Sequence, residues 1–420
     1  MTTPSNPAGT AAEPDPAAPA PGSAETGADA TREARVTWSL IAEPADPVAL
    51  LARSVLGPAG ALELARHGTE SELLARLGGR LPTDAADPGP GTHQLRARRA
   101  LTRWRTRLDG LDIDRVLDDA DQRQIRVLTP EDAEWPPALD DLQETSPHCL
   151  WVQGPGRLDD LVTGRCAAVV GSRAATGYGE EIAGTFAASF AASGGTVVSG
   201  GAYGIDGAAH RGALSADGGA TLAVLAGGLD RLYPRENAEM LERIRDRHLL
   251  VSEAPPGTAP TRWRFLSRNR LIAALSQAVL VVEASWRSGA LSTARLADQI
   301  SRPVGAVPGP VTSAASAGCH RLIRERGAVL ITESADVLDL LPGGPAAGDG
   351  GFAVQDELDL LTPADRRVLD AVPPRSSLPV ARIVREIGFE AVEVESALAR
   401  LRLLGLVEDV GERVRRVRTG

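Results

Sequence analysis

The chain contains no lysine: all 45 basic residues among its 420 are arginine. Catalysis through a lysine is therefore excluded, including the P-loop lysine and a Schiff-base lysine. Aromatic residues make up only 3% of the sequence, so a core must be built from Ala, Val, Leu and Ile. The three cysteines, Cys149, Cys166 and Cys319, form no CxxC pair. Their spacing excludes a disulfide framework and fits a reducing cytoplasm.

The sequence also lacks a long uninterrupted hydrophobic segment. No basic region followed by an apolar run opens the chain, so we expect no signal peptide. Residues 182–205 carry no charge, but Gly194-Gly195 and Ser199-Gly200-Gly201 interrupt them, and we interpret the segment as a helix, a turn and a strand. We predict no membrane contact and a cytoplasmic location.

The formal net charge is -10, but it is unevenly distributed. Residues 1–164 carry 16 Arg and 26 acidic residues, whereas residues 165–341 carry 18 Arg and 16 acidic residues. Residues 342–420 again have a net negative charge, of -2. A surface that binds an anion is therefore expected in the middle segment.

Composition and periodicity divide the chain into five segments. Residues 1–45 are rich in Ala and Pro and predict a disordered tail. Residues 46–121 show helix-like spacing of leucines and predict a small helical domain. Residues 122–341 form the central domain, and residues 342–355 a Gly/Pro/Ala linker. Residues 356–420 predict a winged helix, with helices at 363–372, 380–387 and 392–404 and a two-stranded wing at 407–417.

Six short apolar runs in the central segment predict strands that are buried on both faces. They are residues 167–170, 196–198, 221–225, 249–251, 278–282 and 304–307. Helical stretches lie between most of these runs. We therefore predict an α/β fold with an extended Rossmann-like, doubly wound sheet.

Ligands of such sheets bind at the carboxyl ends of the strands. Gly171-Ser172-Arg173 follows the first run. The glycine allows a ligand to approach the backbone closely, the helix that begins there offers free N–H groups, and the arginine offers a guanidinium, so the three residues can bind a phosphate. Ser199-Gly200-Gly201 follows the second run and is either a phosphate nest or a tight turn. Asp206 and His210, four residues apart on the next helix, could form an acid–base pair or half of a metal site, but we interpret them as an N-terminal cap and a structural hydrogen bond. The GxGxxG fingerprint is absent and no histidine suits a metal site, so we expect no cofactor and no metal.

The most unusual stretch runs from Thr261 to Arg270 and interleaves four arginines with two aromatic residues. Arginines bind phosphates, and aromatic rings stack on unpaired bases at about 1–3 kcal/mol each. Prolines before it predict that it begins in a loop. We expect Arg262 and Arg264 to be exposed, and Phe265 or Trp263 to stack on a base. We expect one of Arg268 and Arg270 to pair internally with Glu253 or Glu283.

In order and spacing, these motifs resemble the DNA-processing protein A family (DprA, also called Smf). The resemblance covers about residues 122–341. It is carried by Gly171-Ser172-Arg173, Ser199–Asp206, Tyr233-Pro234, Ser252-Glu253, Phe265, Arg268-Asn269-Arg270, Glu283-Ala284, Ser288-Gly289, Thr293-Ala294 and Pro308-Gly309. It implies an extended Rossmann fold that binds single-stranded DNA, loads RecA recombinase and protects DNA during natural transformation. It also implies a sterile-alpha-motif-like N-terminal domain, a C-terminal winged helix and a homodimer.

We therefore predict a non-enzymatic protein that binds single-stranded DNA and loads RecA. The predicted DNA-binding residues are Gly171, Ser172, Arg173, Ser199, Gly200, Gly201, Arg262, Arg264, Phe265, Arg268, Asn269, Arg270, Arg287, Ser288 and Thr293. One alternative is a nucleotide-binding enzyme of the lysine-decarboxylase-like phosphoribohydrolase class, although Gly227-Gly228-Leu229-Asp230 lacks that class's PGGxGTxxE-type motif. Another is a nucleotide-sensing module that binds mononucleotides tightly and oligonucleotides weakly.

Overall fold

The computed structural model describes residues 21–79, 81, 92–342, 361–373, 376–411 and 413–417. The chain divides into two units, Met1–Gly344 and Pro345–Gly420, and each is described by itself. Apart from Pro342, the predicted linker 342–355 lies outside the described residues, as do residues 1–20 of the predicted tail.

Five helices precede the first strand. They are α1 (Pro21–Ile41), α2 (Pro47–His67), α3 (Glu70–Arg76), α4 (Thr92–Leu108) and α5 (Ile113–Gln122). The prediction of a disordered tail up to residue 45 is wrong for α1. Trp38 and Ile41 at the end of α1 are fully buried, and Trp38 packs edge-to-face on Trp104 of α4 with ring centroids 5.0 Å apart. Composition did not show this, because the buried residues occupy only the last turns of the segment.

Among the described helices, α2 alone is long and apolar enough to span a membrane by length and composition, with a mean hydropathy of 1.4. Two features identify it as a core helix. It bends at Gly57, where φ is 70°, just before Pro58. Its Leu50, Leu62 and Ala65 are buried, and Leu62 and Ala65 belong to the same hydrophobic cluster as Trp38 and Trp104.

The central sheet has nine strands. They are β1 (Ile125–Leu128), β2 (Leu150–Gln153), β3 (Cys166–Val170), β4 (Thr196–Ser199), β5 (Ala220–Leu225), β6 (Leu249–Ser252), β7 (Ala278–Val281), β8 (Val304–Ala306) and β9 (Val329–Leu330). Their spatial order is β1-β2-β6-β5-β4-β3-β7-β8-β9. Strands β3–β9 are parallel to one another, whereas β2 pairs antiparallel with both β1 and β6. The six predicted strands correspond to β3–β8, and the sequence analysis missed β1, β2 and β9.

Helices cover both faces of this sheet. They are α6 (Leu158–Thr163), α7 (Gly177–Ala192), α8 (Ile205–Ser215), α9 (Ala238–Arg247), α10 (Arg262–Ala274), α11 (Ala290–Gln299), α12 (Ala317–Arg326) and α13 (Ser334–Asp339), with short 3₁₀ helices at Pro137–Thr145 and Arg235–Asn237. Along β3, Ala168 and Val170 pack with α10, α11 and α12, and Ala167 and Val169 pack with α7, α8 and α13. Because alternate residues of a strand point to opposite faces, a short apolar run fills two cores. This confirms the predicted doubly wound fold.

The second unit contains α14 (Pro363–Ala371), β10 (Leu378–Pro379), α15 (Val380–Ile387), α16 (Ala391–Leu403), β11 (Val407–Val410) and β12 (Arg413–Arg416). Its three helices and its hairpin match the predicted bounds to within a residue or two. A third strand, β10, pairs with β12 and was not predicted. Val368, Ile383, Val394 and Leu398 lie in its core. Its assignment to the winged-helix class stays a prediction.

Candidate nucleic-acid interface

A cleft of about 640 Å³ lies at the carboxyl ends of β3 and β7. The strand order reverses between these two strands, and such a reversal leaves a crevice between the loops that follow them. The loop after β3, the turn before α8, the first half of α10 and the β7–α11 loop form its walls. Ten predicted residues line it: Gly171, Ser172, Arg173, Arg262, Phe265, Arg268, Asn269, Arg287, Ser288 and Thr293.

The phase of α10 decides which of its residues face the cleft. Helix α10 begins at Arg262, because the Thr261 side chain accepts a hydrogen bond from the Arg264 backbone N–H and caps it. Arg262, Phe265, Leu266 and Asn269 then fall at the spacing of one helix face, and all four line the cleft. The prediction that this stretch begins in a loop is therefore wrong.

The cleft has an excess of positive charge. Arg173, Arg262, Arg268 and Arg287 line it, and among the described residues Asp206 is the only acidic one that does. Within the described residues, none of these four arginines forms an ion pair with a carboxylate. Four guanidinium groups against one carboxylate create a local attraction for anions.

Arg268 lies deepest of these arginines. It is only 5% exposed, and its guanidinium donates a hydrogen bond to the Val224 carbonyl oxygen. Its buried Nε has no hydrogen-bond partner among the described residues. Burial lowers the pKa of Arg268 to about 10, against the opposing effect of Asp206, so the group remains charged at neutral pH. Arg268 therefore adds a fixed positive charge at the base of the cleft, which attracts a phosphate.

Phe265 forms the aromatic part of the cleft. The guanidinium carbon of Arg173 lies 4.2 Å from the centre of its ring, and the Tyr233 ring centroid lies 6.0 Å away. The contact between Arg173 and the ring is a cation–π interaction. Arg173 thus occupies the position above Phe265 that a stacked base would take. Tyr233 also lines the cleft; the predicted site omitted it, although Tyr233-Pro234 belonged to the family-like motifs.

Arg264 and Trp263 point away from the cleft, contrary to the prediction for Arg264. The Arg264 side chain is 16% exposed, and its Nε and Nη2 each donate a 3.0 Å hydrogen bond to Glu43, between α1 and α2. The Trp263 Nε1 lies 3.4 Å from the Pro44 carbonyl oxygen that it contacts. Trp263 and Arg264 therefore contact the segment between α1 and α2 and do not face the cleft.

Arg270 is a structural residue and not part of the cleft. Its Nη1 and Nη2 donate hydrogen bonds of 2.8 and 2.7 Å to Glu253, and the two side chains are only 5% and 6% exposed. The expectation of an internal ion pair is confirmed for Arg270 with Glu253. Arg270 does not line the cleft and a carboxylate already binds its guanidinium, so the geometry gives no support to its predicted role in DNA binding.

The predicted phosphate nest at Ser199-Gly200-Gly201 is a tight turn. The Ser199 hydroxyl donates to the Val169 carbonyl oxygen at 2.6 Å, and the Gly200 N–H donates to Asp206 at 3.2 Å. Burial raises the pKa of Asp206. A Cβ at residue 200 would overlap the guanidinium of Arg268, so only glycine fits. These three residues do not line the cleft, because the protein's own carboxylate occupies the nest.

Two further polar groups near the cleft are also structural. Glu283 accepts hydrogen bonds from the Thr176 backbone N–H at 2.9 Å and from the Thr176 hydroxyl at 2.7 Å, at the start of α7. His210 Nδ1 lies 2.8 Å from the Thr221 hydroxyl, and burial lowers its pKa to about 3. Across the part of the chain that the structure describes, no three His, Cys, Asp or Glu residues are grouped to hold a metal ion.

Residues 126–342 match the family model described as DNA recombination-mediator protein A. The chain belongs to this family, DprA/Smf. It is 42% identical over 411 residues to a putative DNA processing protein DprA of Mycobacterium tuberculosis, covering 93% of this chain and 96% of that relative. It is 39% identical over 276 residues to the protein Smf of Escherichia coli, covering 62% and 72% of the two chains.

A solved DprA structure supports the same assignment. DprA from Streptococcus pneumoniae superimposes with a TM-score of 0.54 at 30% identity, over 73% of this chain and 96% of that one. The predicted DprA/Smf resemblance and the doubly wound α/β fold are therefore confirmed.

Proposed function

We propose that the cleft binds single-stranded DNA, and that this DprA-family protein protects the strand and loads RecA recombinase onto it without catalysing a reaction. One observation carries the DNA binding: four arginines with no carboxylate partner in the described residues face a cleft with one acidic group. The phosphates of a strand supply the missing negative charge. Membership of a family described as DNA recombination mediators supports DNA as the ligand.

The dimensions of the cleft favour a single strand over a duplex. Its volume of about 640 Å³ lies within the range of about 300–1,000 Å³ typical of small-ligand pockets. A few nucleotides of an extended strand fit such a space, whereas a double helix does not. The exposed Tyr233 ring in the cleft can stack only on a base that is unpaired and turned outward. Phe265 contributes there by positioning Arg173.

The remaining parts of the proposal rest on the family resemblance. These are the loading of RecA, a homodimer formed through the α/β domain, and the winged-helix class of the second unit. A cytoplasmic location agrees with three free, buried cysteines. The flanking segments are acidic in sum, so we assign the main DNA affinity to the central domain.

A salt-series titration with single- and double-stranded oligonucleotides of the same sequence tests DNA binding. We expect tighter binding of the single strand, and a log-log salt slope that becomes shallower by about 0.7 in Arg262→Ala because one phosphate contact is lost. Arg264→Ala is the matched control on the same helix, since Glu43 already binds its guanidinium. Equal affinity for duplex and single strand, or the same slope change in both variants, would refute the cleft as the binding site.

Two assays separate this proposal from its alternatives. Turnover in a nucleotide-hydrolysis assay would show an enzyme, and tight mononucleotide binding with weak oligonucleotide binding would show a sensing module. RecA loading is measured as faster assembly of RecA on single-stranded DNA when the protein is present. An unchanged assembly rate, with intact DNA binding, would restrict the function to strand binding.

A further inference from the structure

A second cavity, here called the side pocket, lies beside the cleft between α11 and α12. Its volume is about 570 Å³. Arg287 and Ser288 of the β7–α11 loop line both the cleft and the side pocket. The two cavities therefore adjoin at this loop, where a ligand in the cleft that contacts Arg287 is next to the side pocket.

The side pocket repeats the electrostatic character of the cleft. Five arginines line it, against the single acidic residue Asp298: Arg287, Arg295, Arg302, Arg321 and Arg326. Arg302 pairs with Asp141 at 2.5 Å, and Arg321 pairs with Glu325 at 3.0 Å. In the described chain, the other three arginines have no carboxylate partner. After all pairs are formed, the pocket retains an excess of positive charge.

An exposed tryptophan lines the side pocket, next to the loop residues that both cavities share. Trp286 lies next to Arg287 in the β7–α11 loop and is 55% exposed. The Arg321 guanidinium lies 4.9 Å from the centre of its ring. More than half of the residue is nevertheless open to solvent, although a large aromatic side chain gains free energy when it is buried. Indole rings and guanidinium planes are the groups on which unpaired bases stack in single-strand-binding proteins.

We propose that the side pocket is a second subsite for the same DNA strand. A strand that leaves the cleft past Arg287 stacks one base on Trp286 and places its following phosphates against Arg295 and Arg326. This inference rests on the proposed binding of single-stranded DNA in the cleft. It adds that affinity grows with strand length until both cavities are filled.

The experiment measures the affinity of oligothymidylates from about 4 to about 16 nucleotides, the range of site sizes in single-strand-binding folds. Three proteins are compared: the wild type, Trp286→Ala and the double variant Arg295→Ala/Arg326→Ala. The matched control, Arg243→Ala/Arg247→Ala, removes the same charge from exposed positions on α9. Thermal unfolding confirms that each variant folds.

On the longest oligomer, we expect Trp286→Ala to lose about 5- to 150-fold in affinity, the equivalent of one stacked base. The double arginine variant should show a salt slope shallower by about 1.4, for two lost phosphate contacts. On the shortest oligomer that binds, both variants should match the wild type, because that strand fills only the cleft. The α9 control should match the wild type at every length.

The other possible results contradict either the second subsite or the proposed function itself. If the wild type binds no oligomer, the proposed function itself fails. If the wild type binds but the side-pocket variants bind long oligomers equally well, only the second subsite is refuted. A loss of affinity that is the same at every length also refutes it. A change in the mass of the free protein in solution without loss of affinity would show that the side pocket is a protein contact instead.

Discussion

The buried ion pair between Arg270 and Glu253 is the contact on which the position of α10 most depends. Two hydrogen bonds of 2.8 and 2.7 Å join the side chains, and both are at least 94% shielded from solvent. Glu253→Leu leaves the Arg270 guanidinium buried without its carboxylate, and Arg270→Met leaves Glu253 without its guanidinium. Each single substitution should lower the free energy of unfolding by about 3–5 kcal/mol.

The double variant Glu253→Leu/Arg270→Met should be much more stable than the sum of the single losses predicts. It buries no unpaired charge, and replacing a buried pair with apolar residues of similar size is often neutral or stabilising. It still loses the 3.0 Å hydrogen bond from Arg270 Nε to the Thr145 carbonyl oxygen, at about 1 kcal/mol. We therefore expect it within about 2 kcal/mol of the wild type, against an additive loss of about 6–10 kcal/mol.

Urea unfolding followed by tryptophan fluorescence measures these differences. All six tryptophans lie in the unit Met1–Gly344, so the signal reports that unit alone. The control is Asp246→Asn, which breaks the exposed 2.9 Å pair with Arg245. It should cost at most about 1 kcal/mol.

If the double variant loses as much unfolding free energy as the two single variants together, the proposed coupling between the Arg270 and Glu253 charges is refuted. Single losses no larger than that of the exposed control would refute it as well.

Three further outcomes follow from the geometry of the cleft and its surroundings. Gly200→Ala should cost about 1–3 kcal/mol of stability and weaken single-strand binding, because a Cβ there displaces the Arg268 guanidinium; normal stability and affinity would contradict this. The pKa of His210 is about 3 in the folded protein and about 6.5 in the unfolded chain. At a pH between these two values, the unfolded chain binds a proton that the folded protein does not. The stability difference between wild type and His210→Asn should therefore shrink by about 1.4 kcal/mol per pH unit below pH 6.5, and a pH-independent difference would contradict it. Phe265→Leu should weaken single-strand binding about 2- to 5-fold through loss of the cation–π contact that positions Arg173, whereas Trp263→Leu, outside the cleft, should not; equal effects would place both rings in the site.

The elements of the central sheet follow from local sequence patterns. Each of the runs that form β3–β8 is apolar at consecutive positions, because both faces of a doubly wound sheet are covered by helices. Strand β1 contains Arg126 and shows no comparable run, whereas the apolar residues at 149–152 and 328–331 contain β2 and β9 and were overlooked. The burial of Trp38 was missed because its partner Trp104 lies 66 residues further along the chain.

The sequence by itself determined that this is a DprA-family doubly wound protein, with an arginine-rich segment next to its strand ends. It predicted that one of Arg268 and Arg270 pairs internally but not which of them, and it grouped Arg264 with Arg262 as exposed phosphate-binding residues. The tertiary structure decided those roles: helical phase turns Arg262 to the cleft, while Glu43, 221 residues away, binds Arg264, and Glu253 binds Arg270. An arginine binds a phosphate only when no carboxylate of the protein has already neutralised it. Which carboxylates come close is set by packing between distant segments, and no local pattern records that.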